Sequence, residues 1–420
     1  MNKKLFQNAF IFILGEVINK SIPFLLLPIL TRYLNPEDYG IIAGLTVLIA
    51  VFSKFTGLQI HGAINVNYFK MKRNQINQFI GNCLIILGAS TLLVFVCVFL
   101  FSNNISERLK VENEWIYVAL VIAFTEFLTT INLLLWTVEK KPKPYSVYQL
   151  TQTLTVTILT LVFVVGMSMN WEGRVLAIAI GTVLFSGISF VFLLKRGYLN
   201  FKLNKNHIKD ALKFGIPLTP HSLSELIKTG ADRIIIMSTI GIGATGIYSI
   251  AYEICSVISV LVIAFQRAWS PYMFETLSND PTIHEKKKIV KFTYLYFIGI
   301  FLISVIFSWV AELFLPYFLG EKFNESSQFV PFFAISFAFS GMYTMVSNYF
   351  FYVKKTYLLS FITITGALFH LGMLYFLTLE NGVIGAAQAN LISFIFNFLI
   401  TWYLSNRVYQ MPWKLWKSHE

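Results

Sequence analysis

The sequence predicts an all-α polytopic membrane protein, with twelve transmembrane helices arranged as two pseudo-symmetric six-helix bundles around a central cavity. Three observations carry that prediction. Hydrophobic residues fill 56% of the 420 positions and charged residues only 13%, whereas about a quarter of a soluble domain is charged. Twelve apolar windows are each long enough, at about 1.5 Å of helix rise per residue, to cross a hydrocarbon layer about 30 Å thick. Lysine and arginine then alternate between rich and poor connections along the chain.

The first six windows fall near residues 8–30, 40–61, 79–101, 115–137, 146–168 and 173–194. The start, MNKK followed by an apolar run, superficially resembles a signal peptide. No small-residue cleavage site follows, and Glu16, Lys20, Pro23 and Pro28 interrupt the run, which reads as a retained first span. The second six windows fall near 214–236, 246–268, 292–312, 329–352, 357–379 and 384–404.

One set of alternate connections holds 23 basic residues, among them Lys3, Lys4, Lys140, Lys141, Lys354, Lys355 and Lys417. The other set holds 5: Arg32, Arg108, Lys110, Arg174 and Lys322. The positive-inside rule places both termini in the cytoplasm, as an even number of spans requires. The net charge of +12 is therefore a topology signal, spread over short loops instead of forming the continuous patch that nucleic acid would need.

The longest polar connection, running to Lys213, divides the chain into a first bundle (1–195), a basic cytoplasmic linker (196–213), a second bundle (214–405) and a cytoplasmic tail (406–420). Short similarities recur across the division at a nearly constant offset. Tyr39-Gly40-Ile41 matches Thr245-Gly246-Ile247, Lys140 to Tyr145 matches Val353 to Tyr357, and GRVLAIAIG from Gly173 matches GVIGAAQAN from Gly382. That pattern is expected of parallel repeats about an axis along the membrane normal. Cys83, Cys97 and Cys255 lie inside apolar runs with no paired spacing, so neither a disulfide framework nor a metal site is indicated. The loops are too short for a folded extramembrane domain, and no nucleotide-binding or hydrolase motif occurs.

Charge inside the spans is the candidate chemistry. The seventh window, FGIPLTPHSLSELIKTGADRIII, carries His221, Glu225, Lys228, Asp232 and Arg233. At 100° per residue, the first four share one narrow face and Leu223, Leu226, Ile227 and Ile234 the other. Facing lipid, such charges would cost about 10 kcal/mol together, so they face protein or a watery cavity. Pro217 and Pro220 suggest a helix broken near its start. Glu16, Asn19, Lys20 and Pro23 form a similar stripe on the first span.

Two readings are open: i+3 and i+4 pairs that lock helices together, or a path for a transported solute. On the second reading the cations Lys20, Lys54, Lys228, Arg233 and Arg267 suit an anionic substrate group such as phosphate. The acids Glu16, Glu225 and Asp232, with Glu126 and Glu253 standing alone in apolar surroundings, are candidates to carry a coupling ion, H+ or Na+. His61 and His370 read as interhelical hydrogen-bonding residues.

Four stretches resemble a known family: PILTRYLNPEDYGIIAGLTVLIAVF from Pro28, ADRIIIMSTIGIGATGIYSIAYEI from Ala231, AFQRAWSPY from Ala264 and GVIGAAQA from Gly382. They are similar to the polysaccharide synthesis family of the multidrug, oligosaccharidyl-lipid and polysaccharide exporter superfamily, and most of all to bacterial O-antigen flippases of the Wzx type. The resemblance implies two six-helix bundles around a cationic central cavity. It also implies a non-enzymatic flippase of the bacterial inner membrane that moves undecaprenyl-pyrophosphate-linked oligosaccharide to the periplasmic leaflet by alternating access. A polysaccharide polymerase and a chain-length regulator are the partners to expect, with no nucleic acid. The alternatives are a multidrug or cation extruder of the same superfamily, which would have an acid-lined cavity, and a membrane glycan polymerase, which would need a large periplasmic loop.

Overall fold

The computed structural model of the chain describes residues 3–353 and 355–414, with side chains from Ile11 onward except at 356. Lys354, Lys417 and the side chains of Lys3 and Lys4, counted in the charge asymmetry, lie outside the described residues, as do the last six residues of the expected tail.

The described residues are helical almost throughout. Helices α1 (Lys3–Tyr33), α2 (Pro36–Phe55), α3 (His61–Tyr68), α4 (Arg73–Leu109), α5 (Asn113–Val138), α6 (Pro142–Thr160) and α7 (Asn170–Lys195) form the first half. Helices α8 (Lys205–Thr239), α9 (Ile242–Cys255), α10 (Val257–Ser278), α11 (Ile283–Phe318), α12 (Val330–Tyr352) and α13 (Thr356–Val408) follow. Ten apolar segments among the described residues are long enough to cross a membrane. The segment containing α13 counts twice, because Gly382 (φ 60°, ψ −139°) breaks it where the eleventh and twelfth windows meet. The charged α8 supplies the twelfth span. Large apolar side chains such as Leu93, Phe99, Trp309 and Phe361 are about two-thirds exposed, which suits a surface in contact with lipid and not with water.

Local chemistry explains the helix ends. Asn35 precedes Pro36 at the first turn of α2, and its N–H donates to the Asp38 carboxylate at 2.8 Å. Thr282 and Glu285 cap α11 reciprocally: the Glu285 N–H donates to the Thr282 hydroxyl at 3.3 Å, and the Thr282 N–H donates to Glu285 at 2.8 Å. Between α2 and α3 the chain runs through three consecutive residues with positive φ, Gly57, Leu58 and Gln59, and the Gly57 N–H donates to Ser90 at 2.9 Å. The expected second span, 40–61, is therefore α2 followed by a left-handed turn that ends where α3 begins. The eighth is two helices, α9 and α10, broken at Ser256.

A second difference concerns the connection expected over 196–213. Only residues 196–204 lie outside helix; α8 begins at Lys205 and passes without a break through Pro217 and Pro220. The expected break is absent because proline removes one hydrogen bond but leaves φ in the helical range, and packing along the helix holds the rest. The start of α8 packs closely: a Cβ on Gly215 would lie 2.2 Å from the Leu58 carbonyl oxygen.

The chain forms two compact units. The first comprises residues 1–226 and 241–246, the second 227–240 and 247–420. In the first, α5 packs on α7 and α2, and α1 on α6. Its sealed core contains Ile64, Phe79, Ile131, Leu193 and Tyr198. In the second, α12 packs on α13, α11 and α10. The first unit includes the start of α9, which crosses α2 at backbone contact. A Cβ on Gly246 would lie 1.9 Å from the Pro36 carbonyl oxygen, and one on Gly40 would lie 2.0 Å from that of Ile242. These glycines are the matched pair of the internal repeat.

The basic connection after α7 is clamped to the first unit. Arg73 donates to the Arg196 carbonyl at 2.6 Å and stacks over the Tyr198 ring at 3.6 Å, while Arg196 donates to Glu139 at 2.5 Å. Burial by itself pushes the Glu139 carboxyl up, but the Tyr198 hydroxyl, Lys141 and Arg196 together hold it below the ordinary carboxylate range. A carboxyl more acidic in the folded than in the unfolded chain contributes stability above its ordinary pKa and loses that contribution as pH falls through its folded value. Glu139→Gln is therefore expected to cost about 1–2 kcal/mol at neutral pH, an effect moderated by the solvent access of Lys141. Thermal unfolding in detergent should show the gap between variant and wild type closing as the pH is lowered into the acid range.

Candidate functional site

Within the second unit, α8 sets its charges against α9 and α13. Asp232 is 2% exposed and is surrounded by donors. The Tyr248 hydroxyl of α9 donates to Oδ2, and Asn390 Nδ2 of α13 donates to the same oxygen at 3.2 Å. Oδ1 meets His370 Nε2, also of α13, at 2.6 Å. His370 is 1% exposed, and its Nδ1 lies 3.0 Å from Ser393 Oγ.

Ser393 Oγ lies within hydrogen-bond reach of both the Ala389 carbonyl, at 2.6 Å, and His370 Nδ1, so the cluster runs unbroken from Ser393 through His370 to Asp232. In a dry site such a fully partnered polar chain ties α13 to α8.

Two cations flank the pair on α8. Lys228, one turn before Asp232, donates to Asn397 Oδ1 at 3.0 Å. Gly366 gives Asn397 its room, because a Cβ there would lie 2.1 Å from Asn397 Oδ1. Arg233 donates from Nη1 to the Thr229 carbonyl at 2.6 Å and from Nε to Ser249 at 3.2 Å, and stacks over Tyr252 at 4.9 Å. Among the described residues Arg233 has no carboxylate partner. The adjacent acid is engaged by His370, Tyr248 and Asn390, and a guanidinium held by neutral partners suits an anion.

The structure thus divides the ionisable stripe expected along α8. Asp232 is packed inside the unit, Lys228 is half-buried against α13, and Glu225 is exposed. Glu253 near the end of α9 and Arg267 on α10 are exposed as well, and neither joins the Asp232 cluster. In the first unit, Glu16 and Lys20 pair with each other along α1 at 3.7 Å. Glu126, expected to stand alone, does not: Ser53 donates to it at 3.4 Å, and the Lys54 charge acts on both Glu126 and His61. These partners come from α2, more than 70 residues earlier in the chain, which the order of residues does not show. The sequence reading also missed Asn390, Ser393 and Asn397, although their spacing of three and four on an otherwise apolar helix is a polar stripe of the kind that singled out α8.

Comparison with known proteins decides the family. Residues 5–277 match the family described as polysaccharide biosynthesis protein, more than half of the chain. The chain belongs to that family. Among relatives of this family member, an Lsg-locus protein of Haemophilus influenzae is 26% identical over 395 residues, covering 91% of this chain and 95% of the relative. The capsular polysaccharide biosynthesis protein CapF of Staphylococcus aureus is 23% identical over 331 residues, covering 74% and 77%. The fold is that of an inward-facing multidrug resistance MATE family transporter of the MOP superfamily, with TM-score 0.73, 14% identity and coverage of 94% and 96%. It is equally that of the lipid II flippase MurJ in an inward closed conformation, with TM-score 0.71, 15% identity and coverage of 98% and 88%. The polysaccharide biosynthesis family member is therefore a multi-pass membrane protein with the transporter fold that its sequence resemblance implied.

Proposed function

We propose that this protein flips an undecaprenyl-pyrophosphate-linked oligosaccharide, an O-antigen or related surface-polysaccharide repeat unit, from the cytoplasmic to the periplasmic leaflet of the bacterial inner membrane. Family membership supports the class of cargo. The observation that carries the substrate's charge is Arg233, a guanidinium held by neutral partners beside an acid engaged by His370, Tyr248 and Asn390. Together with Lys228 it offers two cations to a pyrophosphate, whose oxygens accept charge-assisted hydrogen bonds in pairs.

The coupling ion in this reading, H+ or Na+, acts at the buried acid of the same helix. Asp232 lies four residues from Lys228, a spacing at which two side chains meet on one helix face. An ion that neutralises Asp232 therefore favours an anion near Lys228 and Arg233, and linkage makes the effect reciprocal.

The test is complementation of a strain lacking its own flippase, with lipid-linked intermediates quantified by leaflet. Wild type should clear the cytoplasmic-leaflet intermediate, and a Lys228→Ala/Arg233→Ala double variant should leave it in place while still inserting into the membrane. Each lost charge-assisted contact is worth about 1.5–3 kcal/mol, so the pair should reduce transport by more than about a hundredfold. Unchanged surface glycan in the double variant would sink the assignment.

A further inference from the structure

The first unit contains an apolar groove that the buried charges do not explain. Its long wall is a ridge of α4 with a strict four-residue spacing: Ile85, Ala89, Leu93, Cys97, Phe101 and Ile105. The facing wall comes from Phe52 and Phe55 of α2, from Leu58 in the left-handed turn after α2, and from Ile208 and Leu212 at the start of α8. The groove has a volume of about 690 Å³, within the range of sites that bury a small molecule. Leu93 and Phe101 are 66% and 55% exposed, so it opens on the outer surface of the helices.

Two features select an occupant. The first is length. Twenty residues of α4 separate Ile85 from Ile105, about 30 Å of helix, which is the full thickness of a bilayer's hydrocarbon layer. A phospholipid acyl chain occupies one leaflet, or about half that distance, whereas a long isoprenoid chain can fill the groove end to end. The second is charge. Ile208 and Leu212 also line a neighbouring hollow edged by Lys205, Lys209 and Lys213, again at four-residue spacing. All three lysines are exposed, and none forms an ion pair with an acidic side chain among the described residues. The start of α8 thus presents one ridge to a hydrocarbon chain and the adjacent ridge to an anion.

We propose that this groove seats the polyprenyl chain of a phosphate-bearing polyprenyl lipid, with the phosphate on the row formed by Lys205, Lys209 and Lys213. The proposal rests on the flippase reading and deepens it.

The test uses the full-length protein in nanodiscs, with undecaprenyl phosphate and phosphatidylglycerol as competing probes and retained lipid measured by native mass spectrometry. Undecaprenyl phosphate should be retained at least tenfold more than phosphatidylglycerol. Ala89→Trp, which fills the groove at a site open to lipid, should cut retention about tenfold with unchanged thermal stability. Lys205→Gln/Lys209→Gln/Lys213→Gln should do the same without touching the groove. Equal retention of the two lipids would make the groove a general lipid contact and overturn the proposal. So would full retention in Ala89→Trp together with normal glycan export, which would leave the flippase reading intact but put the tail elsewhere. If wild type neither retains undecaprenyl phosphate nor restores export, both readings fall.

Discussion

Asp232→Asn is expected to abolish glycan export while leaving the protein in the membrane, and it should be the most damaging single substitution in the second unit. The asparagine matches the aspartate in shape but lacks the carboxylate that meets His370, and its NH₂ would face two donors, Tyr248 and Asn390, if it kept its orientation. Removing one partner of a buried charged pair costs about 3–5 kcal/mol, because the other partner stays buried without compensation. On the proposed function, export needs the link between α8 and α13 intact, and a penalty of that size reduces it by more than about a hundredfold.

A double-mutant cycle separates this account from simple loss of packing. His370→Gln alone should also be severe, leaving Asp232 with its two neutral donors, Tyr248 and Asn390. Asp232→Asn with His370→Gln can restore an amide–amide hydrogen bond, so the combined loss should fall short of the sum by about 0.5–3 kcal/mol. Two measurements are needed: thermal unfolding in detergent for stability, and leaflet-resolved lipid-linked intermediates for export. If the double variant recovers stability but not export, the ionisable pair itself, and not its packing, is required for export. Additive losses in both readouts would mean that the pair has no special coupling.

The second large effect concerns folding. Gly246→Ala is expected to prevent the start of α9 from seating on α2, because the new methyl would lie 1.9 Å from the Pro36 carbonyl oxygen and 2.9 Å from the Gly40 nitrogen. Both obstacles are backbone atoms of a helix start fixed by Pro36 and the Asn35–Asp38 hydrogen bond, so neither can move aside as a side chain would. Overpacking of this kind costs about 1–3 kcal/mol where a core can adjust, and more than about 4 kcal/mol is expected where it cannot. Gly40→Ala should be equally damaging, since its methyl would meet the Ile242 carbonyl oxygen at 2.0 Å.

Gly187→Ala and Gly299→Ala provide the control. No atom lies within 4 Å of a Cβ at either position, and alanine in a helix is favoured over glycine by about 0.5–1 kcal/mol. Both should therefore be neutral or slightly stabilising. Fluorescence-detected size exclusion on all four variants would show monodisperse protein for the controls and aggregated or degraded protein for Gly40→Ala and Gly246→Ala. Normal profiles for the latter pair would mean that the α2–α9 crossing is looser than described.

The sequence by itself determined the membrane class, the number of spans, the matched glycines of the repeat and the presence of ionisable residues on the seventh span. Each of these follows from local or periodic information: a window long enough to cross hydrocarbon, an offset between similar strings, a position on a helical wheel. The family followed in the same way, from contiguous motifs that survive in the order of the residues. What tertiary structure alone decided is how each charge is neutralised. Asp232 and His370 are 138 residues apart, Ser53 and Glu126 73. Helical periodicity says that a side chain points to one side of its own helix, but not which helix lies on that side or which donor it carries. For that reason Asp232 and Glu225, neighbours on one predicted stripe, have opposite fates, the first sealed in a hydrogen-bonded cluster and the second exposed. The continuity of α8 was hidden from the sequence for a related reason: a proline's cost is local, whereas the packing that overrides it comes from residues such as Leu58, far earlier in the chain.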